Sequence, residues 1–233
     1  MKKNEIEYLV LKYRFDSGTG CIEHSRFINE YEIDIWGHGE NEDGIEKSQL
    51  IGKGKIALFL VGLAQDEDFS MLQLFDSTQS GSDLGNFIID WGKEDINEDF
   101  EDILLEAGNY NILYIDRIEL LPQFRGIGLG KKIMKDIILR FDNSCGLIAL
   151  KAFPLQLEYS SVSGKGDVWN KQMKYKYLVQ DETTARKQLY KFYKSLGFRQ
   201  YSKTDYFYIN PAFVNKKLDK VDIDEYMRND FLP

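Results

Sequence analysis

Hydrophobic and polar positions follow two patterns along the chain, and the change comes near residue 65. Before it, residues 6–14 (IEYLVLKYR), 27–36 (FINEYEIDIW) and 55–63 (KIALFLVGL) are short runs rich in branched and aromatic side chains. They predict three early strands, joined by connections that hold Gly18, Gly20, Gly37, Gly39 and Gly54. After it, apolar residues recur at helical spacing. Met71, Leu72, Leu74 and Phe75 form one set and Ile96, Phe100, Ile103 and Leu104 another, with acidic residues on the outer face and Gly108 placed to close the second helix.

From residue 112 the pattern alternates. It predicts a strand over 112–121, a loop over 122–130, a helix over 131–141 with Ile133, Met134, Ile137, Ile138 and Phe141 on one face, and a strand over 147–153. The polar, tyrosine-rich stretch 154–182 is long enough to be a lid or binding loop. A helix over 184–196 closed by Gly197, short strands at 198–201 and 206–209, and a short amphipathic helix in the tail from 212 complete the prediction. The expected fold class is α/β (α+β), a mixed and largely antiparallel sheet flanked by helices. One domain over 1–233 is expected, with an N-terminal half (1–110), a core (111–209) carrying the insertion 154–182, and a tail (210–233).

Composition narrows the classes. With 233 residues, 43% hydrophobic and 29% charged, the chain can bury a sizeable core, and disordered or collagen-like readings are excluded. No run approaches the roughly 18 apolar residues of a membrane span, and the N-terminus meets Glu5 and Glu7 before any apolar stretch, so a cytoplasmic protein without a membrane partner is expected. Cys21 and Cys145 are far apart, and the two histidines, His24 and His38, stand in a polar region; neither a disulfide framework, a metal site nor a Ser-His-Asp triad is expected. The net charge of −8 is unevenly spread. Residues 66–106 hold thirteen carboxylates against Lys93, whereas 165–205 hold ten Lys or Arg against four carboxylates. Such runs are solvated helix faces or, functionally, an acidic surface for a cationic substrate and a basic one for phosphates. A nucleic-acid partner is not expected at this net charge.

Candidate chemistry concentrates at Arg125-Gly126-Ile127-Gly128-Leu129-Gly130, between a predicted strand and a predicted helix. Glycines let the backbone turn with its amides converging, and the helix behind aims its unpaired N–H groups and positive dipole end at the same point, making an anion cradle. Arg125 would add a charged fork suited to phosphate, and Pro122 ends the strand on entry. A P-loop needs GxxxxGK[ST], and a dinucleotide fold needs GxGxxG with an acidic residue about 20 positions on; neither fits.

In these residues the chain resembles the GNAT superfamily of acyl-CoA-dependent N-acyltransferases. Arg125, Gly128 and Gly130 match the Arg/Gln-x-x-Gly-x-Gly/Ala signature after a strand ending near Pro122, and Tyr193-Lys194-Ser195-Leu196-Gly197-Phe198 matches the helix end that precedes two antiparallel strands. The matching segments are 112–153 and 184–209; Arg186 stands where the family often carries asparagine. The resemblance implies acetyl-CoA as cosubstrate, its pyrophosphate on the amides from Gly126 through Ile127, Gly128, Leu129 and Gly130 to Lys131, and its pantetheine bonded to backbone at Leu120. The thioester carbonyl would point at an amide of that strand, which would stabilise the oxyanion. It further implies transfer of acetyl to a primary amine, with Tyr193 protonating the leaving thiolate. A catalytically silent acyl-CoA-binding or protein-interaction module on the same fold is the alternative, and a homodimer is left open as a partner.

The amine must lose a proton to attack, at roughly 4–5 kcal/mol for a lysine-like amine at neutral pH, so a base is sought. Asp116 and Glu119 are the candidates, Asp116 preferred. Regular alternation puts Asp116 on a face with Tyr114 and Ile118 and Glu119 on the other, and a bulge would exchange them. Each carboxylate is otherwise a solvated or ion-paired strand residue, and Leu189, Phe192, Tyr193 and Leu196 at i, i+3, i+4, i+7 also suit Tyr193 to the core. The acidic run predicts a cationic acceptor, over which Tyr159, Trp169, Tyr175 and Tyr177 of the insertion could close.

Overall fold

Alternation within each strand builds two apolar faces from one sheet. The computed structural model describes residues 6–16, 23–40, 44–160 and 168–223. Strands β1 (Tyr8–Arg14), β2 (Ile28–Glu40) and β3 (Glu46–Phe59) form an antiparallel meander. Helices α1 (Val61–Asp66), α2 (Met71–Asp76) and α3 (Gln79–Ile88) follow, then a small hairpin of β4 (Ile89–Asp90) and β5 (Asp95–Ile96), then α4 (Glu98–Ala107). The second half runs β6 (Ile112–Leu120), α5 (Leu129–Phe141), β7 (Leu147–Lys151), α6 (Leu155–Ser160), α7 (Val168–Met173), α8 (Glu182–Ser195), β8 (Arg199–Gln200), β9 (Tyr206–Ile209) and α9 (Lys216–Asp219). The main sheet has seven strands in the order β1-β2-β3-β6-β7-β9-β8, and only β6 and β7 pair in parallel.

Successive residues of a strand point to opposite faces, so each strand serves both cores. Ile56, Leu58, Leu113, Ile115, Ile148 and Leu150 pack toward α5 and α8, whereas Ala57, Phe59, Ile112, Tyr114, Leu147 and Ala149 pack toward α1–α4. On the second face Phe87 stacks on Tyr206 at 4.8 Å and meets Phe100 edge-on at 4.5 Å. The charge asymmetry thereby becomes spatial. The acidic run lies on α1–α4 on one side of the sheet, and Lys131, Lys132, Lys135 and Arg140 on α5, with Arg186, Lys187, Lys191 and Lys194 on α8, lie on the other.

Several predicted boundaries shift. The apolar run 55–63 is not one strand, because β3 ends at Phe59 and Val61 opens α1, whose Val61 and Ala64 are buried. The polar residues 46–54 extend β3 N-terminally by pairing with β2. Helix α3 and the β4–β5 hairpin went unread in a Gly- and Ser-containing stretch. Gly108 and Gly197 do adopt positive φ at the ends of α4 and α8. The tail helix is confined to Lys216–Asp219, and residues 224–233 lie outside the described ones. Cys145 is a free, buried thiol that donates to the Phe141 carbonyl at 3.3 Å and is pushed up to about 12 by burial; Cys21 lies outside the described residues.

Candidate functional site

β6 and β7 pair from Ile112–Leu147 to Ile115–Leu150 and then part. The cause is local. Lys55 of β3 pairs with Arg117 and Ile56 with Ile115, so Asp116 is an extra residue in β6, a β-bulge that bends the strand away from its parallel neighbour. Between the diverging ends lies a cavity of about 160 Å³ whose walls include Asp116, Glu119, Leu120, Lys151, Tyr175 and Tyr193. The bulge thus gathers both candidate carboxylates, from strand positions that regular alternation would separate, together with the candidate tyrosine.

At the end of β6 a short 3-10 turn over Pro122–Phe124 leads into the glycine loop. Gly126 (φ +75) and Gly128 (φ +92) hold the left-handed backbone that L side chains resist, and the space a Cβ would fill is open at both. α5 starts at Leu129, two residues earlier than predicted, with Gly128 as its cap. Among the described residues no backbone carbonyl accepts from the amides of Gly126, Ile127, Gly128, Leu129 or Gly130. Lys131 differs from expectation: its amide donates to the Gly128 carbonyl at 3.0 Å, so its contribution is its ammonium group. Beside the loop lies a pocket of about 360 Å³ whose walls include Gly128, Lys131, Lys132, Lys217 and Lys220, two of these lysines coming from the C-terminal segment, together with one carboxylate, Asp222. That segment is fixed by Asn215, whose amide donates to the Leu196 carbonyl at 2.9 Å while its oxygen accepts from the Lys217 and Leu218 amides at 3.2 Å each.

Arg125 departs from the sequence expectation. Its guanidinium does not turn to the loop amides: Nε donates to the Leu120 carbonyl at 2.7 Å and Nη2 to the Met173 carbonyl at 2.9 Å. A half-buried guanidinium needs acceptors, and the ends of β6 and α7 supply them. Burial accordingly lowers its pKa, opposed by Tyr175 and Glu119. The Leu121 amide bonds to Ile51 of β3 at 2.8 Å, so strand alternation turns the backbone N–H and carbonyl of Leu120 toward the cleft.

The three candidate catalytic groups meet different surroundings. Asp116 is held above the usual carboxylate range by burial, against the pull of Arg117 and Lys55. Its nearest cation is Arg117 at 3.8 Å, which also faces Glu158 at 3.8 Å. Glu119 is only 7% exposed, and both oxygens are taken, one by Trp169 Nε1 at 3.0 Å and one by the Tyr175 hydroxyl. Each of its oxygens already accepts a hydrogen bond from a neighbouring side chain, whereas Asp116 accepts no side-chain hydrogen bond among the described residues, which leaves Asp116 the freer of the two candidate bases. The Tyr193 ring packs among Phe192, Phe198 and Phe207, while its hydroxyl has no hydrogen-bond partner among the described residues. Burial pushes it up to about 12, so it keeps its proton at neutral pH. Core packing and cavity lining are therefore combined in one side chain.

Two features were not read from the sequence. Lys151 at the end of β7 bonds Asp83 of α3 at 2.8 Å and brings the acidic side of the sheet to the cleft, a pairing 68 residues apart that no local pattern signals. Arg186 reaches both Glu182 and Asp205, and Tyr190 also donates to Asp205, which ties α8 to the β8–β9 connection. Among the described residues no group of His, Cys, Asp or Glu is gathered to hold a metal ion, and no helix is long and apolar enough to cross a membrane. Comparison of the chain with models of protein families, with curated proteins and with solved structures finds no match.

Proposed function

We propose that the protein transfers a short acyl group, acetyl in the first instance, from acyl-CoA to a primary amine. The observation that carries this reading is an arrangement: loop amides without carbonyl partners stand beside a lysine-rich pocket, and the strand before that loop borders a cleft, opened by the Asp116 bulge, whose walls include Leu120 and an unpartnered tyrosine hydroxyl. The pocket and amides suit the phosphates of CoA, the cleft suits the acyl end of the thioester, and the arm between them would follow the strand at Leu120. The strand order, with one parallel pair that diverges, agrees with the GNAT likeness of the glycine loop and of the end of α8.

In the proposed reaction the amine nitrogen attacks the thioester carbonyl carbon, the C–N bond forms and the C–S bond breaks. The nitrogen loses two protons between ammonium and amide: Asp116, whose raised pKa makes it a better acceptor than an ordinary carboxylate, takes the one that frees the lone pair and passes it to solvent, and the second leaves the nitrogen for solvent as the C–S bond breaks. Tyr193 serves best as a hydrogen-bond donor. Handing its proton from a hydroxyl near 12 to a thiolate of ordinary pKa about 8.5 would be uphill by roughly 5 kcal/mol, so the thiolate is stabilised in place and takes its proton from solvent after release. The acceptor is proposed to be cationic before deprotonation, because Asp116 and the Lys151–Asp83 pair look toward the acidic helices while Tyr193 comes from α8 on the basic side.

The test is acetyl-CoA turnover against a panel of amines, read as free thiol. Amine-dependent release that falls in Tyr193→Phe supports the reaction. Tight acetyl-CoA binding without turnover for any amine would leave a silent acyl-CoA-binding module in its place.

A further inference from the structure

The cleft is partly filled by the protein itself. Residues 168–178, made of α7 and a 3-10 turn over Tyr175–Tyr177, lie along its open side with Trp169, Met173 and Tyr175 buried. The remaining space of about 160 Å³ is around half the roughly 300 Å³ at the lower end of small-molecule sites. It accommodates the acyl end of a thioester and leaves too little for the arm behind it.

A specific set of bonds holds this strap down. Glu119 receives Trp169 Nε1 on one oxygen and the Tyr175 hydroxyl on the other, and among the described residues it makes no ion-pair contact, although its charge is felt by Arg125. A buried carboxylate that forms no ion-pair contact depends on its hydrogen-bond donors, and here both donors belong to the strap. Arg125 adds a third bond by donating to the Met173 carbonyl with the same guanidinium that occupies the Leu120 carbonyl. Lys53, which pairs with Glu119 across β3 and β6, sits 5.0 Å over the Trp169 ring. The strap is therefore fastened to the strand that the thioester arm would have to follow, by the residue next to Leu120 and by the first residue of the glycine loop.

We infer that residues 168–178 form a latched lid, that Glu119 is its latch, and that acyl-CoA enters by displacing the strap from the cleft. The displacement component rests on the acyl-CoA reading above; the latch itself does not. If only the unlatched fraction binds, apparent affinity is reduced by that fraction, and weakening the latch tightens binding.

The experiment compares wild type with Tyr175→Phe and Trp169→Phe, each of which keeps a ring in place and removes one donor. Amide hydrogen exchange over 168–178 is expected to rise roughly tenfold or more in either variant, the equivalent of one lost bond to a charged group, with α5 and α8 unchanged. Acetyl-CoA affinity, titrated by calorimetry, is expected to rise by up to the same factor. Unchanged exchange over 168–178 in both variants would overturn the latch. Raised exchange with unchanged or weaker acetyl-CoA binding would overturn the displacement. Raised exchange in a protein that binds no acetyl-CoA in any form would uphold the latch and remove the proposed function.

Discussion

Tyr193 illustrates how one side chain can be tested apart from the fold. Its ring is packed and its hydroxyl is unpartnered, so Tyr193→Phe orphans no group and should change stability by no more than about 0.5 kcal/mol, measured by urea unfolding. Under the proposed reaction turnover should nevertheless fall about ten- to hundredfold with acetyl-CoA affinity kept, because only the thiolate-like transition state would use the hydroxyl. Asp116 presents the opposite balance. Burial raises its folded pKa above the unfolded value, so the native state holds the proton more tightly, and stability is lost as pH rises through the interval between the two. Asp116→Asn should then melt higher than wild type at pH 7 and lose that advantage in acid, while activity is lost at every pH. An unchanged melting temperature at pH 7 would remove burial as the cause of the shift. As a base Asp116 must be ionised, so wild-type turnover should fall as pH drops through its raised pKa. Tyr193, at about 12, should impose no descending limb below about pH 11.

At the scale of elements, the glycine loop and the end of α8 carry the argument, and both were readable because their signals are local. A strand, a proline, three glycines in alternation and an apolar helix within 30 residues leave few backbone solutions, and the amides that the sequence suggested as a cradle are indeed without carbonyl partners, Lys131 excepted. Gly128→Val should cost about 1–2 kcal/mol through its left-handed backbone and abolish the thermal shift given by acetyl-CoA, since the new side chain enters the open cradle. A folded variant that still binds would move the phosphate site elsewhere. What could not be read depends on distant partners. The fork of Arg125 is claimed by a carbonyl 48 residues away, Glu119 is held by Trp169 and Tyr175 at separations of 50 and 56, and the Asp116 bulge exists only through its register with Lys55 and Ile56. Periodicity also misjudged 55–63, where an apolar run continues from strand into helix without a polar break, and α3, whose glycines are buried against Phe75 and Trp91 and serve close packing.

For the whole molecule, the sheet acts as a partition between an acidic layer of helices and a basic one, and the cleft is walled from both, by Lys151, bonded to Asp83 of α3, and by Tyr193 of α8. The charge runs along the chain foretold this separation, although not that a sheet would carry it out. On the proposed reading this separation would draw phosphates to the α5–α8 side and a cationic amine to the α1–α4 side. kcat/KM for polyamines or lysine side chains should therefore exceed that for neutral amines and fall as salt rises, since screening limits surface charges to about 8 Å at physiological ionic strength. A salt-independent rate would reduce the acidic layer to an ordinary solvated surface. All of this rests on the cleft being a site for acyl-CoA, and titrating the intact protein with acetyl-CoA in a calorimeter tests that claim most directly. One acetyl-CoA per chain, bound more weakly as salt rises and not at all by Gly128→Val, is the predicted result; no binding heat from a folded protein at millimolar acetyl-CoA would contradict it.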